Sequence, residues 1–549
     1  MKKQFLKLGL LGIFLWGGMI PNTVFAQSSY SDYDALTNRL RSLNSNYGNL
    51  TELTSLAKTG DGRDVWVLTI GSGDVKNNPA IAVIGGAQGS HILGSELALS
   101  FAEKLLASSS EDDTKNLLAS TTFYVLPRIN PDATEQYFAR LKYERNGNAR
   151  STDDDRDGEM NEDPYDDLNG DGLITMMRVE DATGEWMTLK DDARVMIKAD
   201  IDKGEKGNYL LLTEGRDNDD DGAFNEDGEG GVDMNMNFTF DYPYFQPGAG
   251  DNPAYEVEIR GVLDFLFEEA RNTFAVVSFG PENNLDTPVR FNAAANRRRV
   301  VASWYNDDVS INKLISDMYK KETKLGKAPA GPAQKGDLFQ WAYYHYGRLS
   351  FSTPGWWAPE VKDENGKAKK ISNTDAKYLA WADAEGLNSF VEWTEIDHPD
   401  FPGKKVEVGG IKPFAKTTPP YELVDSLATS HTNFIVKVAE MRPQVKLLNF
   451  KTESAGKNLT RISVDVYNEG VLPTTSRLGR RTSWVRKVTV DMELSNNLSM
   501  VSGRKLSYEN VIPGDGFATH TWLVSGKGSF KLTAGSPVTG FSIIEERIR

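Results

Sequence analysis

Apolar residues recur at three- and four-residue spacing near the amino terminus. Tyr33, Leu36, Leu40 and Leu43 form one stripe, which predicts an amphipathic helix with Ser31 as its N-cap. Two β-rich apolar runs follow at 65–70 and 80–84, the second stopped by Gly85-Gly86. Leu97, Phe101 and Leu105 mark one face of a helix over 95–106. A short apolar run at 123–126 precedes the turn Asn130-Pro131-Asp132. Pro253 opens a helix carrying Val257, Ile259, Val262, Leu263 and Leu266, and 274–279 is another apolar run, with Ser278 its one polar residue. Strands without alternation are buried on both faces, and their alternation with helices predicts an α/β sheet covered by helices on both sides.

That rhythm is interrupted twice. Residues 151–172 hold ten acids against the single base Arg156, and 217–229 is similar, so both read as loops or an insertion, about 146–231, that supplies no core. From 443 onward the texture changes to short alternating strands. They carry Leu447, Ile462, Val464, Val466, Val488, Val490, Met492 and Leu494, with Phe541 and Ile543 in a last strand. This predicts an antiparallel β-sandwich over 443–549. At the other end, Lys2, Lys3 and Lys7 precede the apolar run 8–20 and the small-residue site Val24-Phe25-Ala26. The pattern is that of a secretory signal over 1–26, and 13 residues at 1.5 Å each fall short of a ~30 Å hydrocarbon core. The expected product is exported, without a membrane span, and periplasmic or extracellular.

Composition narrows the chemistry. The 549 residues suffice for more than one domain, and 39% hydrophobic content excludes wholesale disorder. A net charge of −16 argues against nucleic acid or an anionic membrane surface as partner. With no cysteine there is no disulfide, thiolate ligand or thiol nucleophile. The five histidines are His91, His345, His398, His431 and His520.

Three acidic segments have the alternating spacing of an oxygen-ligand calcium loop: Asp153-Asp155-Asp157, Asp167-Asn169-Asp171 and Asp217-Asp219-Asp221, each followed by glycine. Alternate side chains converge while the glycine turns the chain, and a hard cation offsets their repulsion. The acid at position 12 is missing from all three, and Asp163 and Asp227, at position 11, are candidate substitutes. The expectation is structural calcium.

The order of several motifs resembles the exported zinc carboxypeptidases, the funnelin family, over residues 33 to about 436. They are Gly85-Gly86 leading into Gly94-Ser95-Glu96, then Asn130-Pro131-Asp132, then Asp233-Met234-Asn235-Met236-Asn237-Phe238. The acidic run Asp167-Leu168-Asn169-Gly170-Asp171-Gly172 resembles an insertion in a bacterial branch of that family. The resemblance implies a mixed central sheet with helices on both faces over 27–442. It also implies a His-x-x-Glu pair and a distant His on zinc, a base Glu, and arginines for the substrate carboxylate and the oxyanion.

At each of those places this chain departs from the pattern. The pair falls on Gln88 and His91, the third ligand on Gly280, the base on Pro354 within Phe351-Ser352-Thr353-Pro354-Gly355-Trp356, and the arginine on Met236. Asn235 is kept as a candidate contact for a peptide carboxylate, and Arg140, Arg145 and Arg150 stand near the second arginine position. Neither Gly nor Pro can ligate a metal or transfer a proton, so no zinc is expected. The reading is a catalytically degenerate homologue, with a peptide as possible ligand. One alternative is an active carboxypeptidase with a moved zinc site using His91, Glu96 and Glu282. Another is a glycan- or surface-binding protein with Trp341, Trp356 and Trp357 as a platform.

Overall fold

The computed structural model describes residues 29–153, 158–220, 222, 224–225, 228, 231–329, 331, 334–482 and 484–549. The signal segment and the candidates Asp155, Asp157, Asp221 and Asp227 lie outside the described residues.

A six-stranded mixed sheet organises the larger part of the chain. Its strand order is Thr51–Lys58, Asp64–Ile70, Thr122–Leu126, Ala80–Ile84, Thr273–Phe279 and Leu349–Thr353. The last four are mutually parallel, and the first two pair antiparallel at one edge. Successive side chains of a strand point to opposite faces, and the core divides accordingly. Ile81, Val83, Phe123 and Val125 join one apolar layer with Leu40, Leu97, Phe101, Ile315 and Phe434. Ala80, Ala82, Ile84, Tyr124 and Leu126 join a second with Ile259, Val262, Leu266 and Trp341. Helices Tyr33–Asn46, Ile92–Ala107, Asn306–Thr323 and Val424–Glu440 cover the first face, while Val257–Asp264 and Leu338–Tyr344 cover the second.

Several local expectations shift. The first helix is capped by Asp32, whose carboxylate accepts Ala35 N–H at 2.8 Å, while Ser31 is buried. Asn130 caps a single helical turn, Pro131–Thr134, in place of a simple turn. The helix expected from Pro253 begins at Val257, after Glu256, and Val257 itself is exposed. The acidic region is also more than loops. Between its two acidic stretches lie Met176–Glu180, Trp186–Leu189, Asp192–Lys198 and Tyr209–Thr213. With the later strands Phe390–Ile396 and Val406–Ile411 they form a second six-stranded antiparallel sheet. Met177, Val179, Val406 and Val408 give it a small core of its own.

Residues 445–548 form two four-stranded antiparallel sheets around Val464, Val466, Val490, Met492, Trp522, Val524 and Leu532. Phe541 and Ile543 are exposed on the outer face of the last strand, Gly540–Ile548. Among the described residues no helix is long and apolar enough to cross a membrane.

Candidate functional site

Three neighbouring parallel strands, Ala80–Ile84, Thr273–Phe279 and Leu349–Thr353, end at the same edge of the central sheet. Ligand sites of open α/β sheets collect outside such carboxyl ends. The chain emerging from the first makes the turn holding Gln88 and His91, the second delivers Gly280, and the third delivers Pro354. Candidates 263 residues apart in sequence thereby meet: His91 Nε2 lies 3.0 Å from the Pro354 carbonyl oxygen. The carbonyl can only accept, so that nitrogen carries the proton. Gly280 N–H donates to Thr353 O at 3.1 Å, which ties the second and third strand ends together.

The tight approach of these segments depends on glycine. A Cβ on Gly85 would sit 2.4 Å from Gly94 O and 2.8 Å from Pro127 O, so no other residue fits beneath the His91 turn without moving backbone. A Cβ on Gly280 would meet Glu282 Oε2 at 3.2 Å, so this carboxylate folds back against the side-chain-free position.

The polar groups of the cleft are bonded to one another. Asn235 Nδ2 donates to Glu282 Oε1 at 3.0 Å and to Gln334 Oε1 at 2.6 Å, and Asn235 Oδ1 accepts Leu338 N–H at 3.2 Å. Gln334 in turn donates to Gln88 Oε1 at 3.2 Å. The amide of Asn235 therefore has both of its N–H groups engaged within the protein. Met236 follows in the same short turn, capped by the Asp233 carboxylate, which accepts Asn235 N–H at 2.7 Å.

Burial dominates the electrostatics. It pushes the His91 imidazole down to about 4, leaving it neutral, and the Asp233 carboxyl up to about 7. Glu282 is raised by burial and by the charge of Asp337, and Asp337 is raised by burial. Glu282, Asp337, Asp233 and Gln334 are the site members that motif order underweighted or missed. Gln334 and Asp337 come from a segment with no motif of its own, and nothing in local sequence marks them.

The residues present do not fit a catalytic zinc ion. Such an ion takes about three protein ligands, with imidazole or thiolate among them. Here one buried imidazole faces a carbonyl, one carboxamide is hydrogen-bonded, and the third position has no side chain. Among the described residues no group of three or more His, Asp or Glu is arranged to hold a metal ion. The moved site also fails on geometry. Glu96 is wholly buried, paired with Arg39 and accepting Ser31 N–H at 3.3 Å, so it does not face the cleft with His91.

The other candidates fall as follows. The Arg145 carbonyl lies 2.7 Å from a Cβ placed on Gly89, but its guanidinium turns to the carbonyls of Gly147 and Asn148. Arg150 pairs with Glu256 and Asp251, and Arg140 is exposed. His345 bonds Thr239 Oγ1 at 2.7 Å, a structural contact. His431 lies 3.3 Å from Tyr319 Oη, which itself bonds Thr353 Oγ1 at 2.8 Å. The tryptophan platform is overturned, because Trp341, Trp356 and Trp357 are all buried and their faces pack on other rings or core.

In the acidic region the second loop closes on itself. The Asp167 carboxylate accepts N–H from Gly170, Asp171 and Gly172 at 2.8, 3.1 and 2.8 Å, and Asn169 Oδ1 accepts Asp171 N–H at 2.9 Å. Asp163 is fully buried and accepts N–H from Asn218 and Asn225, which binds the end of the first loop to the third. Asp217 Oδ2 accepts Gly222 N–H at 2.9 Å, while Asp217 Oδ1 and Asp153 Oδ1 are buried without a hydrogen-bond partner among the described residues. Asp219 lies in the same third loop.

Residues 36–184 match the zinc carboxypeptidase family, and residues 444–545 match a domain of unknown function. Carboxypeptidase M of Mus musculus is 29% identical over 126 residues, covering 22% of this chain and 28% of that protein. Carboxypeptidase D of Homo sapiens is 30% identical over 142 residues, 25% of this chain and 10% of that protein. The chain thus spans well under half of the curated relatives it matches. Among solved structures, carboxypeptidase A from Helicoverpa armigera has 14% identity and a TM-score of 0.38, covering 64% of this chain and 70% of that one. The matched segment, which supplies the Gln88 and His91 turn, is thus similar to the zinc carboxypeptidase family.

Proposed function

We propose that this protein keeps the carboxypeptidase-type body but does not hydrolyse peptides, and that its cleft serves binding. The observation that carries this reading is the closed polar chain Gln88–Gln334–Asn235–Glu282, with His91 held on Pro354. Apart from His91 Nδ1, which is buried with no hydrogen-bond partner among the described residues, groups that would need to face a metal, a water or a substrate carboxylate satisfy one another instead. A peptide ligand would have to displace Gln334 from Asn235, and without a neighbouring arginine it gains no charge-assisted pair, worth about 1.5–3 kcal/mol. The test is metal analysis of protein prepared in zinc-replete medium, together with hydrolysis of a panel of peptides. Stoichiometric zinc with release of C-terminal residues would overturn the proposal.

Two further expectations accompany it. The amino-terminal pattern supports export with cleavage after Ala26, so the mature chain would begin at Gln27. Structural calcium in the acidic region is favoured at the first and third loops, where Asp153 and Asp217 each keep a buried, unbonded oxygen, over the second, whose Asp167 is satisfied by backbone.

A further inference from the structure

Arg348 enters the last strand of the central sheet with its side chain only 2% exposed. Its Nη2 donates to Arg271 O at 3.1 Å, and its guanidinium stacks 4.7 Å from the Tyr346 ring centroid. Nε and Nη1 are buried without a hydrogen-bond partner among the described residues. Among the described residues no carboxylate acts on its charge; burial pulls its affinity for the proton down, and the Tyr346 hydroxyl works in the opposite direction. An arginine remains protonated in such a place, so the molecule buries a full positive charge with most of its donors unused, which is costly unless something compensates it.

Arg348 lines a small cavity at the seam between the α/β body and the sandwich, together with Gly347, Thr474, Thr475 and Ser476 and with apolar residues of both parts. Its free space, about 10 Å³ for the centre of a water-sized sphere, admits one small particle. Thr474 Oγ1 accepts Ile512 N–H at 3.0 Å, which leaves its own hydroxyl proton to donate. The Ser476 hydroxyl is already given to Gly347 O at 3.1 Å. The lining thus sets one guanidinium and the Thr474 hydroxyl among apolar walls formed by Phe274, Leu349, Pro473, Val485 and Val538, around a small space. A water molecule would satisfy the N–H groups but leave the charge unpaired.

We propose that this cavity is a binding site for a small monovalent anion of halide type, held by Arg348 Nε and Nη1 with Thr474, which links the two parts of the chain. The test measures thermal stability of the full chain in chloride, bromide and gluconate at one ionic strength. Chloride and bromide should raise the melting temperature saturably by about 2–4 °C over gluconate. Arg348→Met should abolish that increment. Equal melting temperatures in the three salts, or an increment that survives Arg348→Met, would overturn the site. Should that variant not fold, anomalous scattering from wild-type crystals grown in bromide decides the matter. A bromide peak within contact of Arg348 supports the proposal, and its absence from an ordered site refutes it.

Discussion

His91 Nε2 and the Pro354 carbonyl oxygen stand 3.0 Å apart, so the ends of two strands of the central sheet are joined by a side chain at the place where the family resemblance puts a metal ligand and a base. The contact explains why reverting His91 alone would accomplish little. Zinc affinity is expected to appear only when Gln88→His, His91→Glu, Gly280→His, Pro354→Glu and Met236→Arg are combined. Because Glu282 Oε2 lies 3.2 Å from a Cβ at 280, Glu282→Ala belongs in the same variant. Zinc bound per chain, measured by mass spectrometry, should rise from near zero toward one. A folded variant that stays metal-free would show that the five positions have been matched wrongly.

Asp233 makes stability depend on pH. Its folded pKa is raised from 3.8 to about 7, so the folded state favours the protonated form. That contribution is complete below about pH 4 and is lost as pH rises from there to about 7, on the order of 4 kcal/mol at most from about three units at 1.36 each. His91 acts oppositely. Its folded pKa of about 4 lies below the ordinary 6.5, so its contribution is present above 6.5 and is lost as pH falls toward 4. Asp233→Asn keeps the acceptor for Asn235 N–H and should flatten the decline in melting temperature between pH 5 and 8. An unchanged profile would mean that Asp233 is ionised in the folded protein.

Glu96 belongs to the fold and not to the cleft. Its carboxylate, buried beneath the first helix, meets Arg39 and the Tyr421 hydroxyl. Removing one partner of a buried pair costs about 3–5 kcal/mol, and the low end applies here because Glu103 still holds Arg39 at 2.7 Å. Glu96→Ala should therefore lower the unfolding free energy by about 3 kcal/mol, read from denaturant titration, with metal content unaltered. A loss below about 0.5 kcal/mol, the level of a neutral surface change, would contradict this assignment.

Chelation gives the acidic loops a direct trial. A cation bound only to the folded state stabilises it by mass action. Adding EGTA to the mature protein should lower its melting temperature, and Asp153→Ala or Asp217→Ala should reduce that sensitivity more than Asp167→Ala. A melting temperature indifferent to EGTA would remove calcium from the account.

The sequence by itself determined the fold class and part of the regular elements. Predominantly apolar runs such as 80–84 and 274–279 have one physical outcome, burial between two helical layers, and alternation in Val464, Val466, Val490 and Met492 has another, a sandwich face. It also fixes that Gly280 and Pro354 carry no donor side chain in any fold. Only the tertiary structure decided what surrounds them. Gln334 and Asp337 reach the cleft because strand order brings distant chain segments to one sheet edge, and the second sheet of the acidic region closes only when 390–411 returns to pair with 176–213. Local periodicity records which face a residue presents to its own neighbours. Contacts across hundreds of residues, including the one between His91 and Pro354, are set by packing that no short window of sequence contains.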